Sequence, residues 1–405
     1  MSYLKKAVSG IYWTGTLRAC LRVFTIIRTV ILARLLIPAQ FGIYGVASLA
    51  LALLETLTET GINVFLVQEK DSDSYIDTAW LVSIARGTII SLILILSGRF
   101  IASFFKSPSS LTLLLLISLV AFIRGFINPS VVTFQKNLKF NKEFQFRSVL
   151  FLIEASVTVV SAFITKSAVS FVHGLLASSI CEVAFSLIFI KPRPRFSFIP
   201  EKLHLILHRG KWLTAAGIFN YLYHNLDNIV VGRLLGVAPL GLYDTSYKIS
   251  SLPITEISEV FSKVTFPIFS QIQDDTARLS RAYFKSTLAL SALVVPFGLL
   301  LFLFPQIIVI LLGPNWLPAV PVLRLLSVYG VIRSISGASS ALFLAVHKTN
   351  YVTYLTLASI LGLGITIIPL VSRFGLIGAA MSAIIGSLAA IPVIFYCLRL
   401  VLKRK

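Results

Sequence analysis

Residues 34–44 read RLLIPAQFGIY and residues 233–243 read RLLGVAPLGLY; in both, Arg-Leu-Leu is followed by five residues and then Gly, an aliphatic residue and Tyr. Two further matches follow in the same order. LISLVAFIRG at 116–125 aligns with LLSVYGVIRS at 325–334, keeping Ser-x5-Arg in register, and Gly174–Ser178 aligns with Gly378–Ser382. The offsets are 199, 209 and 204 residues. Any single match arises easily by chance in apolar sequence. Three in order at nearly one spacing mark an internal repeat about half the chain long.

The residues around these matches are strongly apolar. The 405-residue chain is 57% hydrophobic and 13% charged, with a mean hydropathy of +0.90. A soluble domain carries roughly a quarter of its residues as Asp, Glu, Lys and Arg, so only an integral membrane protein fits. Runs long enough to cross ~30 Å of hydrocarbon stand near 11–36, 41–66, 78–101, 110–133, 146–165, 168–190, 212–236, 240–268, 284–311, 319–343, 350–371 and 374–398. The expected fold is therefore all-α, with about 12 transmembrane helices in two parallel six-helix repeats. Six spans per half leave both halves in one orientation, a transporter design with the binding site near the midplane. The expected division is 1–190, a linker at 191–211 and 212–405. The linker, KPRPRFSFIPEKLHLILHRGK, opens with Pro192, Pro194 and Pro200, which prevent regular helix at its start.

The net charge of +20 comes from 36 Lys and Arg against 16 Asp and Glu. These basic residues lie between apolar runs, which points to membrane topology and not to nucleic acid. With a cytoplasmic N-terminus, 21 basic residues fall on cytoplasmic segments and six on the opposite side. That asymmetry places both termini in the cytoplasm. The N-terminus has no small-residue cleavage site, so the first span is expected to be retained. Cys20, Cys181 and Cys397 match no metal-ligand spacing and read as small core residues.

The basic first span, its exit loop ARLLIPAQFGIYGVA, YLYHNLDNIVVGRLLGVAPLGLY in span seven and the two six-span halves resemble the polysaccharide (O-antigen, Wzx-type) flippases. These belong to the multidrug/oligosaccharidyl-lipid/polysaccharide (MOP) exporter superfamily. The resemblance covers essentially the whole chain, most densely 10–70 and 210–275. It implies movement of undecaprenyl-pyrophosphate-linked oligosaccharide across the bacterial inner membrane by alternating access, for surface polysaccharide synthesis. Membrane lipids, a polysaccharide polymerase and chain-length machinery are the partners it implies, with no cofactor and with coupling to H+ or Na+ as an option. Several relatives carry fourteen spans, against twelve here.

Against that background the stretch 17–34, LRACLRVFTIIRTVILAR, becomes informative. An arginine in hydrocarbon costs at least about 2.5–3.5 kcal/mol. At 100° per residue, Thr14, Arg18, Arg22, Thr25 and Thr29 fall on one narrow stripe, with Arg28 on its shoulder. Arg18 and Arg34 can snorkel to the interfaces, whereas Arg22 and Arg28 lie deep and are expected to line a cavity. A guanidinium fork donates two parallel hydrogen bonds to phosphate and keeps its charge when dehydrated. Pyrophosphate is therefore the expected ligand of Arg18, Arg22 and Arg28. The repeat-equivalent Arg124 and Arg333 are the next candidates: Arg124 is expected to share a helix face with Asn128 four residues on, and Arg333 follows Tyr329 by one turn. A packing hydrogen bond to a neighbouring carbonyl is the alternative for both.

Span seven carries a second polar stripe, Asn220, His224 and Asp227. Ionisable groups at mid-membrane are functional by default, so these three are candidates for binding a coupling ion or proton. An interhelical ion pair with one of the arginines is the alternative. In lipid II flippases an Asp of this span helps bind sodium with polar residues of span eleven, which here offers Asn350, Thr353, Thr356 and Thr366. Glu55 and Glu59 of span two and Glu256 and Glu259 of span eight are expected to pair with buried arginines or to form a gate. Glu154 and Glu182 are further candidates for pairing.

The competing classes fare less well. Asp71-Ser72-Asp73 has the D-x-D form of a metal–nucleotide-sugar site, but no loop here is large enough to build a catalytic domain around it. With no nucleophile–base arrangement, nucleotide motif or metal-ligand cluster, no catalytic residue or metal site is expected. Cation-coupled multidrug export within the same superfamily is the nearer rival. It calls for acids in the cavity, where the N-terminal half offers arginines.

Overall fold

The computed structural model describes residues 20, 21, 23–69, 71–197 and 199–402, with backbone only for 204–213, 215, 216, 252 and 253. In it the two copies of the opening motif sit at matching helix junctions. Residues 23–35 form α1, Leu36 and Ile37 leave the helix, and α2 (Pro38–Leu57) begins. At the second copy, α9 (Pro200–Leu235) ends, Gly236 adopts φ 93°, and α10 (Val237–Gln271) begins. Pro38 costs nothing at the first helical position, where its missing N–H has no intrahelical acceptor. Gly236 makes the equivalent turn through a positive φ open to glycine.

The chain divides into two compact units, Met1–Tyr221 and Leu222–Lys405. After α2, the first contains α3 (Ile62–Gln68), α4 (Ile76–Phe104), α5 (Ser110–Arg124), α6 (Thr133–Lys136), α7 (Phe140–Thr165) and α8 (Val169–Phe189). The core among α2, α4, α5 and α8 is built on Ala47, Leu94, Leu114, Ile117 and Val172. Glycine lets backbones approach closely, as membrane helices require. A Cβ on Gly87 would lie 2.7 Å from the Ala121 carbonyl oxygen, and one on Gly174 would overlap Thr158 Oγ1.

The second unit holds α11 (Thr276–Leu303), α12 (Ile307–Leu312), α13 (Val320–Ala345) and α14 (Thr349–Leu402), together with α10. Helix α13 packs against α10, α11 and α14. Serine hydroxyls stitch α10 to α13 through opposing main-chain carbonyls: Ser251 to Leu326 (3.1 Å), Ser258 to Ser334 (2.9 Å) and Ser334 to Ile254 (3.1 Å). Helix α14 breaks at Gly375, which adopts φ 57° and ψ −133°.

Among the described residues, seven helices are long and apolar enough to cross a membrane, or eight if the bent pair Ser110–Arg124 and Pro129–Lys136 counts as one. The outer surface agrees: Leu96 is 81% exposed and Ile164 78%, which suits lipid and not water. Twelve spans were expected. Part of the expected span 11–36 lies outside the described residues, α14 counts once although broken, and α9 and α10 carry polar side chains along their length. Three expected spans are also interrupted. The run 41–66 stops at Leu57 and resumes at Ile62 after Gly61, whose φ is 66°. The run 110–133 bends by 73° beyond Arg124, and 284–311 leaves the helix at Phe304. The linker stretch is helical from Pro200 onward, continuous with span seven.

Candidate functional site

Of the first-span arginines, Arg18 and Arg22 lie outside the described residues. Arg28 is turned towards α7. Its Nη1 donates to Glu154 Oε1, and its guanidinium lies 5.4 Å from the centre of the Phe151 ring. Its Nε is buried and has no acceptor among the described residues. Arg34, at the end of α1, is exposed.

Within the first unit, α2–α5, α7 and α8 enclose a cavity of about 360 Å³ whose charged lining is Arg86, Arg124, Arg147, Glu55, Glu143 and Glu182. Each guanidinium is held by an acid. Arg124 Nη1 lies 3.7 Å from Glu55 Oε1, and its Nε donates to Ser179 Oγ at 3.2 Å. Arg86 Nη2 lies 3.3 Å from Glu59 Oε2 and donates to the Glu55 carbonyl at 2.6 Å, while its Nε donates to Thr58 Oγ1 at 3.1 Å. Glu143 accepts from Arg147 Nε at 2.9 Å and from Gln135 Nε2 at 2.8 Å. Glu182 lies within the fields of Arg124 and Arg147. Charges are tolerable in such a bundle because they are paired and hydrogen-bonded. The loosest pair, Arg124–Glu55, is also the one best placed to exchange its carboxylate for another anion.

Sequence periodicity put Arg124 and Asn128 on one helical face, and the structure corrects this. Helix α5 ends at Arg124, and Asn128 instead caps the following 3-10 turn, accepting from Ser130 N at 2.9 Å. Its amide donates to the carbonyls of Ser186, Ile190 and Pro192. Continuation is disfavoured here, because Gly125 costs backbone entropy and Pro129 has no N–H for the Gly125 carbonyl four residues back. Both residues still line the cavity.

In the second unit, Arg333 of α13 donates through Nη1 to Tyr247 Oη (3.0 Å) and Tyr329 Oη (2.6 Å), and through Nη2 to His224 Nδ1 (3.0 Å). Its guanidinium is 4.6 Å from the Tyr223 ring centre. Asp227 is buried and does not pair with His224. Its Oδ2 accepts from Tyr243 Oη at 2.9 Å and its Oδ1 from Asn228 N at 2.8 Å. The buried Asn228 Oδ1 has no donor among the described residues. Asn220 belongs to the first unit and is exposed. Glu259 pairs with Lys263 one turn on (2.9 Å), and Glu256 is half-buried on the same helix.

Sequence inspection passed over Arg86, Gln135 and the Arg147–Glu143 pair. Arg86 carried a usable signal, being a guanidinium deep in span three. Gln135 and Glu143 carried none, since they reach the cavity only because the chain bends after Arg124.

The fold is found in solved transporters. A multidrug resistance transporter of the MATE family, described as a member of the MOP superfamily and inward-facing, is 16% identical, with a TM-score of 0.70 over 95% of this chain and 96% of that one. The lipid II flippase MurJ in an inward closed conformation is 17% identical, with a TM-score of 0.76 over 96% of this chain and 87% of that one. The chain is thus a multi-pass membrane protein with the fold of these MOP transporters. The lipopolysaccharide biosynthesis protein WzxC of Escherichia coli (strain K12) is 28% identical over 354 residues, 86% of this chain and 72% of that protein. The family model described as polysaccharide biosynthesis protein matches residues 31–321, and the chain belongs to that family.

Proposed function

We propose that this protein carries a lipid-linked oligosaccharide, held by its undecaprenyl pyrophosphate, across the bacterial inner membrane for surface polysaccharide synthesis. The observation that carries the proposal is the polar cavity of the first unit, where Arg86, Arg124 and Arg147 stand in an otherwise apolar bundle. Arg124 and Arg86 bind the pyrophosphate by exchanging Glu55 and Glu59 for it, and Arg18 and Arg22 complete the anion site. Arg28, committed to Glu154, holds α1 against α7. The chain crosses the membrane twelve times with both termini cytoplasmic. Residues 1–190 and 212–405 act as repeat-related halves joined by the segment 191–211. Alternating access moves the substrate, and the bias comes from whichever ligand binds the two states differently. Asp227 is the group through which H+ or Na+ couples to that switch, with His224 and Asn220 on the same helix. Glu256 and Glu259 form pairing contacts near its gate. A polysaccharide polymerase and its chain-length machinery receive the product.

The test is a flipping assay in proteoliposomes with a fluorescent undecaprenyl-pyrophosphate saccharide. Arg124→Gln abolishes flipping while leaving the protein level unchanged. Flipping at the wild-type rate in both Arg124→Gln and Arg86→Gln overturns the assignment.

A further inference from the structure

Arg333 differs from the arginines of the first unit. Arg28, Arg86, Arg124 and Arg147 each have a carboxylate partner, whereas among the described residues no carboxylate lies within ion-pairing distance of Arg333. Its contacts are two tyrosine hydroxyls, two tyrosine ring faces and an imidazole. The acid whose field reaches it is Asp227, which is bound to Tyr243.

The donor count is equally informative. A guanidinium has five N–H donors. Both Nη1 hydrogens go to Tyr247 and Tyr329, and a neutral imidazole offers one acceptor nitrogen, so His224 takes a single Nη2 hydrogen. Among the described residues, Nε–H and the second Nη2 hydrogen have no acceptor. Nε and Nη2 share one edge of the guanidinium, an edge that can grip a carboxylate or phosphate with two parallel bonds.

Arg333 also lines a small cavity of about 130 Å³, together with Tyr223, Ser336, Ser340, Thr356 and Ser387. Thr356 donates its hydroxyl to the Val352 carbonyl at 3.0 Å, which leaves the hydroxyls of Ser336, Ser340 and Ser387 to donate to an oxyanion, and the wall brings no negative charge to repel it. The space is large enough for a carboxylate together with several waters.

We propose that the second unit holds an oxyanion site, built on the remaining donors of Arg333 and the hydroxyls of Ser336, Ser340 and Ser387, that takes the carboxylate of an acidic sugar in the transported saccharide. The site rests on the carrier function proposed above but uses neither its pyrophosphate nor its first-unit arginines. It makes the substrate a saccharide bearing a uronate or similarly carboxylated residue, and gives the protein a way to distinguish acidic from neutral glycans.

The experiment measures thermal stability and titration calorimetry of the purified full chain with glucuronate, glucose, inorganic phosphate and pyrophosphate at fixed ionic strength. Glucuronate raises the melting midpoint and glucose does not. Arg333→Gln removes the glucuronate effect and keeps that of pyrophosphate, and Arg124→Gln does the reverse. If Arg333→Gln does not fold, the double variant Ser336→Ala/Ser340→Ala weakens glucuronate several-fold. Equal binding of glucose and glucuronate, or glucuronate binding that survives both the Arg333 and the serine variants, overturns the site. Phosphate binding through Arg333 as tightly as glucuronate makes it a free-anion site and overturns the saccharide assignment. A protein that binds glucuronate through Arg333 but pyrophosphate nowhere retains this site and loses the first-unit one.

Discussion

Arg28 and Glu154 are 126 residues apart in sequence and ion-paired in the structure, fastening α1 to α7. Removing one partner of a largely buried pair leaves the other charge stranded, at a cost of about 3 kcal/mol. Glu154→Gln is therefore expected to lower the thermal midpoint in detergent. The exchange Arg28→Glu/Glu154→Arg restores both stability and flipping. A swapped protein with normal stability and no flipping would place Arg28 on the substrate instead.

Glu55 competes with the incoming anion for Arg124, from 3.7 Å away. Glu55→Gln is expected to tighten pyrophosphate binding about tenfold, the scale of one charge-assisted hydrogen bond. Because the complex then releases more slowly, turnover falls. Calorimetry and single-turnover flipping separate the two effects.

Close backbone approach sets a further expectation. Gly174→Ala drives a Cβ into Thr158 Oγ1 and the Glu154 carbonyl, whereas Gly364→Ala meets Leu226 Cδ2 at an ordinary 3.8 Å. The first change costs about 1–3 kcal/mol of overpacking. The second stabilises by about 0.5–1 kcal/mol through helix propensity. Thermal midpoints moving in opposite directions check both at once.

Asp227 accepts hydrogen bonds from Tyr243 and Asn228 N, and neither needs the carboxylate to be shared with a second acid. Asp227→Asn is expected to leave a folded protein whose residual flipping no longer responds to an imposed proton or sodium gradient. A gradient response equal to that of wild type removes Asp227 from coupling.

The junctions were legible because they depend on local sequence: the motif at 34–44 and its partner at 233–243 place α2 and α10 at Pro38 and Val237. Ser118 and Ser327, matched in the second alignment, make the same hydroxyl bond three residues back, to Leu115 and Arg324. Breaks inside apolar runs were not legible. Hydropathy sums side chains over a window and does not register a backbone turn such as Gly61, or Gly125 ahead of Asn128 and Pro129. Long-range pairs escaped for a different reason. Nothing in the sequence around Arg28 selects Glu154 over Glu182, and only packing of α7 against α1 makes the choice.

The serine stitches between α10 and α13 carry a consequence for how this molecule tolerates change. Each such bond within a bilayer contributes only about 0.6 kcal/mol, and Gly330 beside them lies 3.1 Å (measured from an added Cβ) from Ser251 Cα. Replacing any one serine by alanine sacrifices little, whereas replacing it by a bulky aliphatic forces two backbones apart. Bulk and not polarity is thus what the seam polices, leaving a carrier free to drift chemically along its own spine.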